Sequence, residues 1–214
     1  MRRFVVKVLA FMVCLGMAAT VCAENFFDVH PLYGKLSLGY EMRSMKVPYA
    51  GNANDYWTTS EMVSCFKLNP SVGMELFPEH NNFFLKGLAV EVGLDFGFGG
   101  KKIDYALYGI KAFAFTLVPG ARAVWNAKIP NSRFIPRAFL GFEVPISIVS
   151  SKITGVSALD GAGWRETKAG FDVDVGVGVT FNLTEKIGIL ADFAGFFGTS
   201  NGFSFSLGAS YRFK

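Results

Sequence analysis

The stretch Phe171-Asp172-Val173-Asp174-Val175-Gly176-Val177-Gly178-Val179-Thr180-Phe181 decides the fold class. Phe171, Val173, Val175, Val177, Val179 and Phe181 fall on one side of an extended chain. Asp172, Asp174, Gly176, Gly178 and Thr180 fall on the other. Strict alternation is the period of a β-strand, because successive side chains leave opposite faces.

Working outward, the same period recurs. Leu36, Leu38, Tyr40 and Met42 oppose Lys35, Ser37, Gly39 and Glu41; Phe66, Leu68, Val72, Met74 and Leu76 oppose Lys67, Asn69, Ser71, Gly73 and Glu75. Leu88 to Phe98 alternates with Glu91, Gly93, Asp95 and Gly97. Further strands are predicted over about 112–125, 134–148, 186–197 and 203–213, which makes eight. Long connections over 43–64, 99–111, 149–169 and (shorter) 198–202 alternate with brief ones at 78–82, 126–133 and 182–185. Antiparallel up-and-down hairpins place all short turns at one end and all long loops at the other. Pro70, Pro119, Pro136 and Pro145 lie inside these strands, where a closed barrel offers no free edge; bulges or shifted strand ends would absorb them.

Alternation does not say which face is inside. The polar faces carry small residues (Gly39, Gly73, Gly93, Gly97, Gly176, Gly178, Gly208), which suit the crowded interior of an eight-stranded barrel. The apolar faces carry bulky Phe, Leu and Val, and Trp125, Phe134, Phe181 and Phe213 fall at the short-turn ends, where an interfacial aromatic girdle belongs. Turning the barrel inside out would put Glu91, Asp95, Asp172 and Asp174 in hydrocarbon at roughly 2–3 kcal/mol each. The expectation is an all-β, eight-stranded antiparallel transmembrane barrel with a lipid-facing apolar surface.

Residues 1–23 read as a secretory signal peptide. Arg2, Arg3 and Lys7 precede an apolar stretch, and Val21-Cys22-Ala23 supplies small residues before Glu24. The barrel domain is then 24–214. Loss of the leader removes three cations and no acid, so the +4 of the whole chain falls close to neutrality. No Lys/Arg cluster remains to neutralise a row of phosphates, which argues against nucleic acid as a partner. Cys14 and Cys22 leave with the leader, and Cys65 alone builds neither a disulfide framework nor a thiolate metal site.

The segment Ser206-Leu207-Gly208-Ala209-Ser210-Tyr211-Arg212-Phe213 resembles the C-terminal signal of bacterial outer-membrane barrels, which is matched by Ser206, Gly208, Tyr211 and Phe213. It departs from that signal in carrying Lys214 after the last aromatic. At the level of pattern the chain is similar to small barrels of the OmpA/OmpX/OmpW type. That resemblance implies outer-membrane residence, lipids as surroundings, insertion by the barrel-assembly machinery and a choice of known roles: envelope integrity, adhesion, or conduction of small molecules.

By parity the lumen receives Lys35, Lys67, Arg122, Arg137 and Arg212 among Glu41, Glu75, Glu91, Asp95, Glu143, Asp172, Asp174 and Asp192. Charges in so narrow a space are expected to interlock as ion pairs. Such a lattice either fills the barrel or leaves a narrow conducting path; Phe139, Leu190 and Phe196 on the polar face keep open a conduit for small apolar molecules.

Enzymatic chemistry is not expected. His30 precedes the first strand and His80 sits in a short turn, and neither has a nucleophile and an acid beside it in sequence. No cofactor motif or metal-ligand spacing is present. Tyr49, Tyr56, Trp57, Tyr105, Tyr108 and Trp164 in the long connections are candidate contacts for host or extracellular ligands, or else interfacial anchors or aromatics packed on each other above the barrel.

Overall fold

A computed structural model describes residues 30–52, 55–104, 108–155 and 163–213, with the backbone alone at 49–52 and 55–57. The strands are β1 (Leu32–Asn52), β2 (Asp55–Glu75), β3 (Leu88–Asp104), β4 (Gly109–Asn126), β5 (Phe134–Glu143), β6 (Ile146–Thr154), β7 (Gly163–Ala169), β8 (Asp172–Asn182), β9 (Ile187–Gly198) and β10 (Gly202–Arg212), with one short helix, α1 (Phe83–Lys86). All pairings are antiparallel. The ring runs β1-β2-β3-β4-β5-β8-β9-β10 and closes through β10 on β1, so eight strands form the barrel.

The two extra strands are continuations rather than ring members. β4 pairs with β5 over Gly120–Asn126 and with β6 over Gly109–Leu117, so β5 and β6 occupy one track. Pro145 interrupts that track because it has no N–H for the ladder. The neighbouring backbone closes the break: Val144 N–H donates to the Pro119 carbonyl, and Gly170 N–H to that of Pro145. Pro119 therefore directs its missing donor at a place where no ladder bond is needed. Similarly, pairing of β2 to β3 skips Asn69–Pro70, between Leu68↔Phe96 and Ser71↔Gly93. Pro136 lies just past the end of the β4 ladder at Asn126↔Arg137.

The long connections differ from the sequence reading. Residues 43–52 and 55–64 continue β1 and β2 as one hairpin, 99–104 and 109–111 extend β3 and β4, and 149–154 and 163–169 belong to β6 and β7. About 10 residues of tilted strand cross a bilayer. With 12 and 11 residues, β9 and β10 do little more than cross; with 21 each, β1 and β2 run about twice as far. Above the tip of the β9–β10 hairpin, six strands continue as a wall made of the β1–β2 hairpin and the sheet β3-β4-β6-β7, whose mutual ladder ends at Ser64↔Gly100.

The outer surface of the ring is apolar. Leu36, Leu38, Phe66, Val92, Leu140, Val177, Phe193, Phe205 and Leu207 all point outward and exposed. Aromatics mark both rims. At the lower one Asn82 caps α1 by accepting from Phe84 N–H at 2.9 Å, which sets Phe83 and Phe84 against Trp125. Phe134 packs on Phe181 at the same rim, while Phe142–Phe171 and Phe193–Phe203 stack towards the upper one.

Candidate functional site: a tiered charge lattice under an apolar cap

The inward faces of the ring hold ion pairs in tiers. At the lower mouth Glu75 lies between Arg212 and Lys128, each at 2.6 Å. Above it Glu91 accepts from the Tyr33 hydroxyl (2.8 Å), from Lys35 Nζ (2.8 Å) and from Arg137 Nη2 (2.7 Å). Asp192 stands 3.5 Å from both Lys35 and Arg137. In the middle Asp95 is engaged by Lys67 and Asn69, and Asp174 by Arg122.

The top tier is built on Arg43, whose side chain is fully buried. Its Nη1 donates to Asp172 at 2.7 Å and to Ser200 Oγ at 2.9 Å, and its Nη2 donates to Glu143 at 2.9 Å, with Glu41 at 3.6 Å. The guanidinium also sits 3.9 Å above the centre of the Phe196 ring. One cation thus serves three carboxylates. Glu41 accepts a hydrogen bond from Thr116 Oγ1 (3.2 Å), and Asp172 accepts a further one from Ser200 N–H (2.8 Å). These fixed dipoles offset part of the excess negative charge.

Parity places all thirteen charged residues read from the sequence inside the ring or at its lower mouth. The structure adds Arg43 and Lys128 to them. Arg43 follows Lys35, Ser37, Gly39 and Glu41 in the same alternation, one residue beyond the strand end that the sequence predicts. Lys128 comes from the short β4–β5 connection and folds back under the mouth, which no strand parity encodes. Phe139, Leu190 and Phe196 do lie inside, each almost completely buried. Phe139 packs with Ala89, Val124 and Ala194, and carries Arg122 at 4.9 Å from its ring centre. The space for this comes from glycine: a Cβ on Gly176 would lie 2.3 Å from the Phe139 ring, and one on Gly178 would lie 2.1 Å from Asp192 Oδ1.

Above Arg43 the inward faces change character. Met45 and Val47 of β1, Val63 and Cys65 of β2, Ile110, Ala112 and Ala114 of β4 and Val149 of β6 form one buried apolar cluster, with Ile103 and Tyr108 against it. Tyr108, one of the aromatic contact candidates, therefore packs in part on this cap. Trp164 is half-buried on β7, opposite Ser151. Tyr49, Tyr56 and Trp57 lie on the β1–β2 hairpin, where only the backbone is described, and Tyr105 lies outside the described residues.

The C-terminal segment forms β10, which pairs with both β9 and β1 and so closes the ring. Ser206 and Gly208 face inward, and a Cβ on Gly208 would lie 2.4 Å from the Leu36 carbonyl oxygen. Tyr211 and Phe213 face outward and pack edge to face at 5.4 Å between ring centres.

No protein-family model matches the chain. No curated protein matches it in sequence. Solved structures do match. A major outer membrane protein from Thermus thermophilus superposes with a TM-score of 0.50 at 12% identity, over 84% of this chain and 99% of that one. Neisserial surface protein A gives 0.49 at 14% identity, over 85% and 95% of the two chains. Ail, the attachment invasion locus protein of Yersinia pestis, gives 0.44 at 15% identity, over 85% and 98%. Together with the closed eight-stranded ring, the Thermus match shows that this chain has the fold of the small bacterial outer-membrane β-barrels.

Proposed function

We propose that this protein is an integral, non-enzymatic barrel of a bacterial outer membrane whose wall is closed to solutes, and that it serves envelope integrity and surface interaction. In this reading residues 1–23 direct export, 24–214 form the barrel domain, and Ser206, Gly208, Tyr211 and Phe213 are read by the assembly machinery. The observation that carries the closed-wall reading is the pairing of a filled charge lattice with an apolar cap directly above it. A polar solute would have to break the Arg43 tier and then cross Met45, Val63, Ile110 and Val149. A small apolar molecule would meet the reverse barrier below. The buried carboxylates are committed to cations, which leaves them poorly suited to acid–base chemistry.

The wall of β1, β2, β3, β4, β6 and β7 beyond the apolar surface is the part available to external ligands. The test is single-channel conductance of the refolded protein in a planar bilayer, after a mobility difference between unheated and boiled samples has shown folding. Folded protein is expected to be silent. Reproducible openings altered by Arg122→Gln or Asp174→Asn would replace this reading with a narrow channel. Shortening the β6–β7 hairpin is expected to leave insertion intact and weaken attachment of producing cells to a host or environmental surface; unchanged attachment would remove the surface-binding role.

A further inference from the structure

The outward face of the six-stranded wall carries a pattern that neither the lattice nor the cap uses. In register across β3, β4 and β6, Lys102 stands opposite Lys111 and Lys111 opposite Lys152. The row beneath reads Gly100, Phe113, Ser150 and, on β7, Arg165. The row beneath that is Phe98, Phe115 and Ile148. Lys102, Lys111, Lys152 and Arg165 are all exposed, as are Phe98 and Phe113. Lys102 has an acid, Asp104, at 2.9 Å; among the described residues none pairs with Lys111, Lys152 or Arg165.

Directly opposed side chains on one face of an antiparallel pair have Cβ atoms about 5 Å apart, and like charges there destabilise the sheet. Three lysines in one cross-strand row therefore want an anion between them. Their height says which kind. Successive rows are two residues apart, about 7 Å along the strand, so the lysines sit one row above Phe113 and two above the Phe98–Phe115–Ile148 row. That is where the hydrocarbon boundary gives way to headgroups. A ligand with phosphates at the level of the lysines and acyl chains against the phenylalanines would satisfy both rows at once.

We propose that Lys102, Lys111, Lys152 and Arg165 form a binding ledge for the phosphates of a phosphorylated, acylated lipid of the outer leaflet. The inference rests on the outer-membrane reading above, with the hairpin-bearing end outside. A soluble polyanion would use the same cations but not the aromatic rows below them.

The experiment uses the full chain expressed in a Gram-negative host, purified from its outer membrane and placed in phosphatidylcholine nanodiscs carrying lipid A, with and without its phosphates. Binding is read by native mass spectrometry and by titration. Removing a surface cation that contacts a lipid phosphate weakens binding about fivefold, so Lys111→Gln, Lys152→Gln and Arg165→Gln together are expected to lose about a hundredfold. Lys111→Arg with Lys152→Arg is expected to retain affinity, and Lys86→Gln with Lys186→Gln, at the other end, to change nothing. Gel mobility on heating confirms that each variant is folded. Equal binding by the triple variant, no preference for the phosphorylated lipid, or inositol hexakisphosphate binding as tightly as the lipid would each overturn the proposal. Absence of the chain from the outer-membrane fraction would instead overturn the outer-membrane reading.

Discussion

The two halves of β1 share one strand and one alternation, yet their hydropathy is opposite. Lys35, Ser37, Glu41 and Arg43 point inward below, while Leu36, Leu38 and Tyr40 point out. Two residues further along, Met45 and Val47 point inward, and the outward positions are Ser44 and Lys46. β4 does the same: Leu117, Phe115 and Phe113 face outward before Lys111, and Ala112 and Ile110 face inward. Parity is conserved because the strand cannot rotate within its ladder. Polarity inverts because the medium outside the wall changes. Where hydrocarbon lies outside, apolar residues are stable there and charges collect within; where water lies outside, the ordinary hydrophobic core returns.

Arg43 stands at the seam, so its loss gives the largest expected effect. Arg43→Met leaves Glu41, Glu143 and Asp172 buried without their cation, and urea unfolding of the refolded barrel should show a loss of about 3–5 kcal/mol. A loss no greater than that of an outward substitution would mean that the tier is hydrated and the seam is not dry.

The same new charge should separate the two regions. Val177→Arg, outward in the middle of the ring, is expected to destabilise by about 2–4 kcal/mol. Ser60→Arg, outward and exposed on the upper part of β2, is expected to stay within about 0.5 kcal/mol. Similar costs at the two positions would break the assignment of hydrocarbon to one and water to the other.

Within the cap, Ile110→Val removes one buried methylene from a packed cluster and should cost about 0.5–1.5 kcal/mol by the same unfolding measurement. An unchanged stability would show that the cap is loosely packed. The mildest probe is Cys65, buried in that cluster. In the folded protein it is expected to resist a maleimide reagent that labels it at once after denaturation. Rapid labelling of folded protein would mean that the cap opens to water.

Much of this was legible in the residues. Alternation at Phe171–Phe181 names a strand without ambiguity, and its aspartates and glycines name the inner face. The lattice members follow by counting in twos. What escaped did so for particular reasons. Residues 43–52 read as loop because the familiar pattern, apolar outward, stops there; Pro48 and the lysines reinforce that impression. Lys128 escapes because a turn, not a strand, delivers it. The prolines look out of place until Pro119, Val144, Pro145 and Gly170 are seen to close one break together.

The sequence by itself determined the period, the inward parity, thirteen charged members of the lattice and the outward belt, since all of these depend only on successive side chains alternating. Only the tertiary structure decided which acid meets which cation, where the ring yields to the six-stranded wall, and that an apolar cap sits on the Arg43 tier. These depend on the register between strands distant in the chain: Arg43 meets Asp172 across 129 positions. No local pattern encodes such a meeting; it arises only when β10 pairs with β1 and closes the barrel.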